Sequence, residues 1–190
     1  MRAALSTRLV GERVALRAPR TSDIPGLRRL LAENAAHLRP WSPAAASGQD
    51  PLSLVEITRT ITSQRRAWKE DRTYALLIES PVDGTLIGRV VLSEVARGPF
   101  QNAYLGYWID HRHQGRGLTT ESVRLTTRFA FEALDLHRVQ AAVIPHNAAS
   151  RRVLGKIGYR EEGVSLRYLS IAGAWQDHVI YAMTREDTLT

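Results

Sequence analysis

The residues with the clearest chemical potential sit in one short loop. Arg112-His113-Gln114-Gly115-Arg116-Gly117 follows a β-prone stretch, Tyr107-Trp108-Ile109-Asp110, and precedes a segment from Leu118 to Leu134 that holds neither Gly nor Pro. A glycine-bearing loop between a strand and a helix exposes several backbone N–H groups, and the helix N-terminus adds about half a positive charge. Together they suit a phosphate or pyrophosphate. Gly115 and Gly117 let the backbone approach such a ligand closely, and Arg112 and Arg116 add positive charge. A Walker loop ends in Lys-Ser/Thr, which is missing. The dinucleotide fingerprint needs three glycines after the first strand of a parallel sheet; here two glycines stand behind strands that pattern as antiparallel. A plain turn would use the same glycines for geometry alone.

The titratable residues are more scattered. Glu94 lies near the end of an expected strand, where it would either face an acceptor or be solvated. Asp110, His111 and His113 flank the glycine loop, and Asp177-His178 falls on the last expected strand. With no cysteine in 190 residues, disulfide frameworks, cysteine–zinc sites, iron–sulfur clusters and thiol catalysis are excluded. No metal-ligand set is read. The length suggests one domain over residues 1–190, large enough for a core without staples. No apolar run reaches the ~18 residues of a membrane span, and Met1–Arg13 lacks the apolar core of a signal peptide, so a cytoplasmic protein is expected. Lys+Arg exceed Asp+Glu by 26 to 19, a net charge of +7. Such a balance fits anionic cofactors as well as nucleic acid. The arginines are dispersed (Arg28-Arg29, Arg65-Arg66, Arg112 to Arg116, Arg151-Arg152) and form no single run.

The elements that must position these residues read as follows. Val14–Arg17 alternates as a strand. Thr21 or Ser22 caps a helix with Asp23 and Pro25 in its first turn and Leu27, Leu30 and Leu31 on its apolar face, ending near Ala35. Pro40–Pro51 reads as a mobile loop. Leu54, Ile57, Ile61 and Trp68 mark a second helix to about Lys69. Tyr74–Ile78 and Leu86–Val95 form a hairpin about Asp83-Gly84, and Tyr104–Asp110 follows a turn at Gly98-Pro99. There Leu105, Tyr107 and Ile109 share a face. Leu118–Leu134 is a helix with Leu125, Phe129 and Ala133 at its periodic positions. Arg138–Ile144 is a strand with Val139, Ala141 and Val143 inward. Asn147 caps and Gly158 ends a helix whose buried stripe is Val153, Leu154 and Ile157. Val164–Ile171 and Trp175–Met183 pair about Ala172-Gly173. The order is β-α-α-β-β-β-α-β-α-β-β, a mixed α/β chain.

Arg112-x-x-Gly115-x-Gly117 resembles the R/Q-x-x-G-x-G/A pyrophosphate loop of the GNAT acetyltransferase superfamily, in which it follows the fourth strand and opens the third helix. Asn147 and Gly158-Tyr159 resemble the family's N-x(10)-G-F/Y. Leu38-Arg39-Pro40-Trp41, Leu105 to Ile109, Arg128 to Glu132, Leu136 to Val139, Asn147 to Ser150 and Asp177-His178 are similar to the RimJ/RimL branch. The resemblance spans nearly the whole chain. It implies a GNAT fold: a mixed, mostly antiparallel sheet, helices on both faces, and a V-shaped splay between the fourth and fifth expected strands.

It also implies acetyl-CoA as co-substrate and a primary amine as acceptor. Backbone amides from Gln114 to Leu118, Arg116 among them, then hold the pyrophosphate, and Thr119 adds a hydroxyl. Pantetheine pairs like a strand with Tyr107-Trp108-Ile109, and an amide near Ile109 polarises the thioester carbonyl. Asn147 reaches a pantetheine amide besides capping its helix. Many GNAT enzymes place a tyrosine seven residues after this asparagine as the thiol's proton donor; here that position is Leu154. The branch offers instead Ser150, expected to face the sulfur. The base is left open among Glu94, the Asp110 group, Asp177-His178 and a water chain. The acceptor is expected to enter opposite the cofactor, between Pro40–Pro51, the first two helices and the last hairpin, with Trp41, Tyr168 and Trp175 as walls. A protein N-terminal amine, as for ribosomal proteins, is the leading acceptor. A small amine is the alternative, and a non-catalytic RNA- or ribosome-binding module a distant one, with at most incidental ribosome contact. A monomer or homodimer and no membrane partner are expected.

Overall fold

In the computed structural model, residues 3–44 and 49–188 are described. Residues 45–48 of the expected 40–51 loop lie outside them. The chain runs β1 (Arg8–Val10), β2 (Ala15–Arg17), α1 (Ile24–Leu38), α2 (Leu54–Lys69), β3 (Tyr74–Glu79), β4 (Leu86–Ala96), β5 (Asn102–Ile109), α3 (Leu118–Glu132), β6 (Arg138–Val143), α4 (Ala148–Ile157), β7 (Arg160–Ile171) and β8 (Ala174–Thr184). One sheet takes all eight strands in the order β1-β2-β3-β4-β5-β6-β8-β7. Every pairing is antiparallel except β5 with β6.

Strand β3 shows why helices must cover both faces. All six of its residues are buried, and successive side chains point to opposite sides. Tyr74, Leu76 and Ile78 join the larger core with Val123, Phe129 and Ala130 of α3 and Leu154 of α4. Leu77 packs on the other face with Leu27 of α1 and Ile57 and Ile61 of α2. Each such side chain contributes about 1.5–3 kcal/mol on burial.

The splay is visible in the register. β5 and β6 pair only at Asn102↔Arg138, Ala103↔Val139 and Tyr104↔Gln140. Beyond Tyr104 the two strands diverge, and Leu105–Ile109 stays paired only with β4. These strands are the fourth and fifth of the sequence reading; β1 shifts the count by one. β1 escapes pattern reading because it is a three-residue edge strand with Val10 64% exposed.

Three local expectations are corrected. Helix α1 begins at Ile24 and is not capped by Thr21 or Ser22. Asp23 holds the N-cap position without a side-chain bond to the helix; its Oδ2 instead accepts from the Arg20 amide at 2.6 Å and from Arg17 Nη1 at 2.8 Å. The helix also runs past Ala35 to Leu38. On α3, Ala133 is exposed and Leu125 half-buried, whereas Ser122, Thr126 and Thr127 are buried. Their hydroxyls donate to the carbonyls of Leu118, Ser122 and Val123 at 2.8–2.9 Å, which satisfies them inside the core. The β7–β8 turn falls at Ala172-Gly173 as expected, both with positive φ, and the Ala172 amide donates to Ser42 O at 3.0 Å. That bond ties the hairpin tip to the segment after Trp41.

Candidate active site

The glycine loop is held from beneath by a buried carboxylate. The Asp110 side chain is 1% exposed. Its Oδ1 accepts from the Arg112 amide at 3.1 Å, and its Oδ2 lies 3.0 and 2.7 Å from Arg112 Nε and Nη2. Burial opposes ionisation of Asp110, but the Arg112 guanidinium and amide outweigh it and hold the carboxyl well below the usual carboxylate range. Helix α1 supplies the second anchor. Asn34, fully buried, donates to Leu30 O and accepts from the His111 amide at 2.9 Å. The loop is thereby fixed to α1 as well as to β5.

Gly115 and Gly117 have φ of 73° and 76°, in the left-handed region that favours glycine. A Cβ at Gly117 would stand 3.3 Å from the Arg13 guanidinium. Gly117 caps α3 without a side-chain acceptor, so the first-turn amides of Leu118, Thr119 and Thr120 are left to a ligand or solvent. They open onto a cleft of about 400 Å³ running from Gln114 past Trp108 and Ile109 to α4. The charge in that cleft differs from expectation. Arg112 turns inward to Asp110 and Glu33, and Arg116 is exposed, its carbonyl accepting from Arg13; neither side chain lines the cleft. Arg152 and Lys156 of α4 do. The sequence carried a signal for them in their i, i+4 spacing after the Asn147 cap.

At its inner end the cleft meets a second cavity of about 180 Å³ in the splay between β5 and β6. Trp41, Tyr107, Asn147 and Ser150 line both. Asn147 Oδ1 accepts from the Ser150 amide at 3.1 Å, and its Nδ2 is not used in that cap. Ser150 Oγ lies 2.8 Å from the Tyr107 hydroxyl, which also donates to Ser150 O at 3.2 Å. Burial pushes the Tyr107 phenol up, against the smaller effect of the Ser150 bond, so it stays protonated at neutral pH. Sequence reasoning assigned Tyr107 only a backbone role. Tyr107 lines both cavities, whereas Leu154 is fully buried in the core and lines neither.

Glu94 is in neither cavity wall. It is exposed, with φ of 51°, at the bulge where β4 slips against β5 between Ser93 and Ala96. Burial raises the Tyr168 phenol, with Tyr104 and the Glu94 charge adding to it, and the Tyr168 ring packs 5.6 Å from that of His178. His178, which does line the inner cavity, is therefore the nearer titratable group along that line. Trp41 packs against His146, the two rings tilted by 44° with centroids 5.5 Å apart. Trp175 is 68% exposed. His111 and His113 lie 3.2 and 3.4 Å from Asp110.

A splayed sheet whose gap joins a glycine loop at a helix N-terminus suits an extended ligand that carries a phosphate group at one end. The Acetyltransferase (GNAT) domain family matches residues 13–160. A probable N-acetyltransferase of Bacillus subtilis, YjcK, is 34% identical over 94% of this chain and 98% of its own. The [ribosomal protein uS5]-alanine N-acetyltransferase of Escherichia coli is 31% identical over 95% of this chain and 92% of its own. The structure of Mycobacterium smegmatis RimJ in complex with CoA-disulfide superposes with a TM-score of 0.87 at 32% identity, covering 93% of this chain and 84% of that one. The chain belongs to the GNAT acetyltransferase family and is an N-acetyltransferase of the RimJ/RimL type. Among the described residues no helix is long and apolar enough to cross a membrane.

Proposed function

We propose that this chain transfers the acetyl group of acetyl-CoA to the α-amine of a protein N-terminus. The observation that carries this reading is the continuous path from the glycine loop, past Asn147 and Ser150, into the splay of the sheet. Relatives named for acetylating ribosomal protein uS5 support the choice of acceptor.

The residues fit the co-substrate on their own chemistry. Amides at Gly115, Gly117 and the first turn of α3 receive the pyrophosphate, with Arg152 and Lys156 balancing charge. The edge at Tyr107-Trp108-Ile109 pairs with pantetheine amides, and Asn147 Nδ2 donates to one of them. The thioester supplies an activated carbonyl carbon and a thiolate leaving group. With the Tyr107 phenol donating to Ser150 Oγ, one of the two directions their 2.8 Å contact allows, the serine proton is free for that sulfur. Direct attack requires a neutral amine and a protonated leaving thiol, so a base must stand on the acceptor side.

Free-thiol release from acetyl-CoA tests the reading, with short peptides of different first residues run beside small amines. The protein has no cysteine and adds no thiol of its own. Turnover with one peptide class is expected. Turnover with small amines alone would move the acceptor to that class, and silence with acetyl-CoA still bound would leave only the co-substrate half standing.

A further inference from the structure

The acceptor side of the splay carries a buried imidazole. His178 of β8 is 3% exposed and lines the inner cavity together with Tyr107 and Ser150. Its Nδ1 lies 3.0 Å from the carbonyl oxygen of Gln176. A carbonyl only accepts, so Nδ1 carries the proton. In the neutral ring Nε2 then holds the lone pair. Among the described residues the bond to Gln176 is the one hydrogen bond of the ring. Tyr168 fixes the ring from the other side.

We propose that His178 is the general base that takes a proton from the acceptor's α-ammonium, an inference that rests on the acetyl-transfer reading above. The ammonium gives one proton to Nε2 and becomes a neutral amine. Its lone pair forms the C–N bond to the thioester carbon as the C–S bond breaks. A second amine proton passes to the departing sulfur through the Ser150 hydroxyl. The proton on His178 leaves to solvent with the products. One amide, one thiol and one proton account for every atom and charge.

The surroundings suit that role. Tyr107 faces the cavity from β5 and Tyr168 packs from β7, with Tyr104 and Glu94 beyond it. His146 lies across Trp41. On β8 itself Asp177 accepts from the Arg167 amide at 2.8 Å. Burial keeps both phenols protonated at neutral pH. Among the inner cavity's lining residues, His178 alone is of a type that exchanges protons in the neutral range. An α-amine titrates near 7.7–8.0 and a lysine amine near 10.4, so the α-amine offers roughly two to three orders of magnitude more free base at neutral pH. The same base therefore selects α-amines over lysine side chains.

Two readings test this. Imidazole 15N shifts in the free protein are expected to show His178 with its proton on Nδ1 and a bare Nε2; the opposite tautomer overturns the assignment. The second is kcat/KM for a peptide acceptor across the neutral and mildly alkaline range, in wild type, H178N and H178Q, with thermal unfolding checked for each. Asn retains a donor for the Gln176 carbonyl, and Gln occupies the Nε2 position without accepting a proton. A loss of about a hundredfold at neutral pH is expected, shrinking as pH rises past the α-amine range, with acetyl-CoA affinity unchanged. Folded variants within fivefold of wild type, or a defect constant with pH, overturn the base while leaving acetyl transfer intact. Wild-type silence on every α-amine peptide removes the reading beneath it.

Discussion

The two sides of the splay are built from different materials. The cofactor side, from Tyr107 to Ile157, is one contiguous stretch in which backbone geometry does the positioning: two left-handed glycines, a helix start without a capping side chain, and an asparagine cap three residues before a serine. The acceptor side is assembled from side chains far apart in the chain: Trp41, Glu94, Tyr104, Tyr168 and His178. Backbone geometry demands particular residue types at fixed spacing. Side-chain contacts across four strands demand none. The first side should therefore fail sharply on substitution, and the second should fail only where one group touches the reacting atoms.

The largest effect is expected at Gly117→Val. It forces a β-branched residue to φ of 76° and drives a Cβ against Arg13. Acetyl-CoA affinity should fall about a hundredfold, roughly 2.7 kcal/mol by calorimetric titration. An affinity within fivefold of wild type would mean that the loop does not hold the pyrophosphate.

Next comes Asp110→Asn, which tests the support of the same loop. Losing the charge-assisted bonds to Arg112 should cost about 2 kcal/mol in urea unfolding at neutral pH. The native-state pKa is depressed, so the contribution is fully present above the unfolded value of about 3.9 and is lost as pH falls below it toward the native one. The gap between wild type and variant should close in that acid window. A gap independent of pH would show that the carboxylate's charge is not what braces the loop.

Ser150→Ala should lower kcat about tenfold with little change in acetyl-CoA affinity, since one hydrogen bond to the leaving sulfur is removed. Tyr107→Phe should do less, because it acts through Ser150. If Tyr107→Phe proves the more damaging, the phenol itself and not the serine delivers the proton.

The same contrast explains what could be read from the chain. Asn147, Gly158 and the hairpin at Ala172-Gly173 fall where expected because caps and turns are local chemistry. Ten of the twelve cofactor residues drawn from the glycine loop, its strand and the Asn147 helix line the 400 Å³ cleft. Arg112 and Arg116 do not, because a guanidinium's direction depends on which carboxylate or carbonyl lies within reach. Asp110, two residues away, claims Arg112. The buried hydroxyls of α3 leave no apolar signal in the sequence, because Ser122, Thr126 and Thr127 look polar until their i−4 carbonyls absorb them. Tyr107 and His178 were seen as a strand residue and one of several candidate bases; only the register of β5, β6 and β8 brings both to one cavity.

The smallest effect is expected at Glu94, and it bears most directly on the comparison. The carboxylate is exposed on a bulge and lines neither cavity. Its charge is felt by the Tyr168 phenol, whose ring packs against His178, and an exposed charge acting at second hand is worth well under 1 kcal/mol in water. Glu94→Gln should therefore change kcat/KM by no more than about threefold, and the change should shrink further at high salt, which screens an exposed charge. Should Glu94→Gln instead cost a hundredfold while H178N costs little, Glu94 and not His178 would be the group that meets the amine. The acceptor would then reach the thioester along the β4 bulge, with a carboxylate set by strand spacing alone, and the acceptor side would be as much a product of local backbone as the glycine loop.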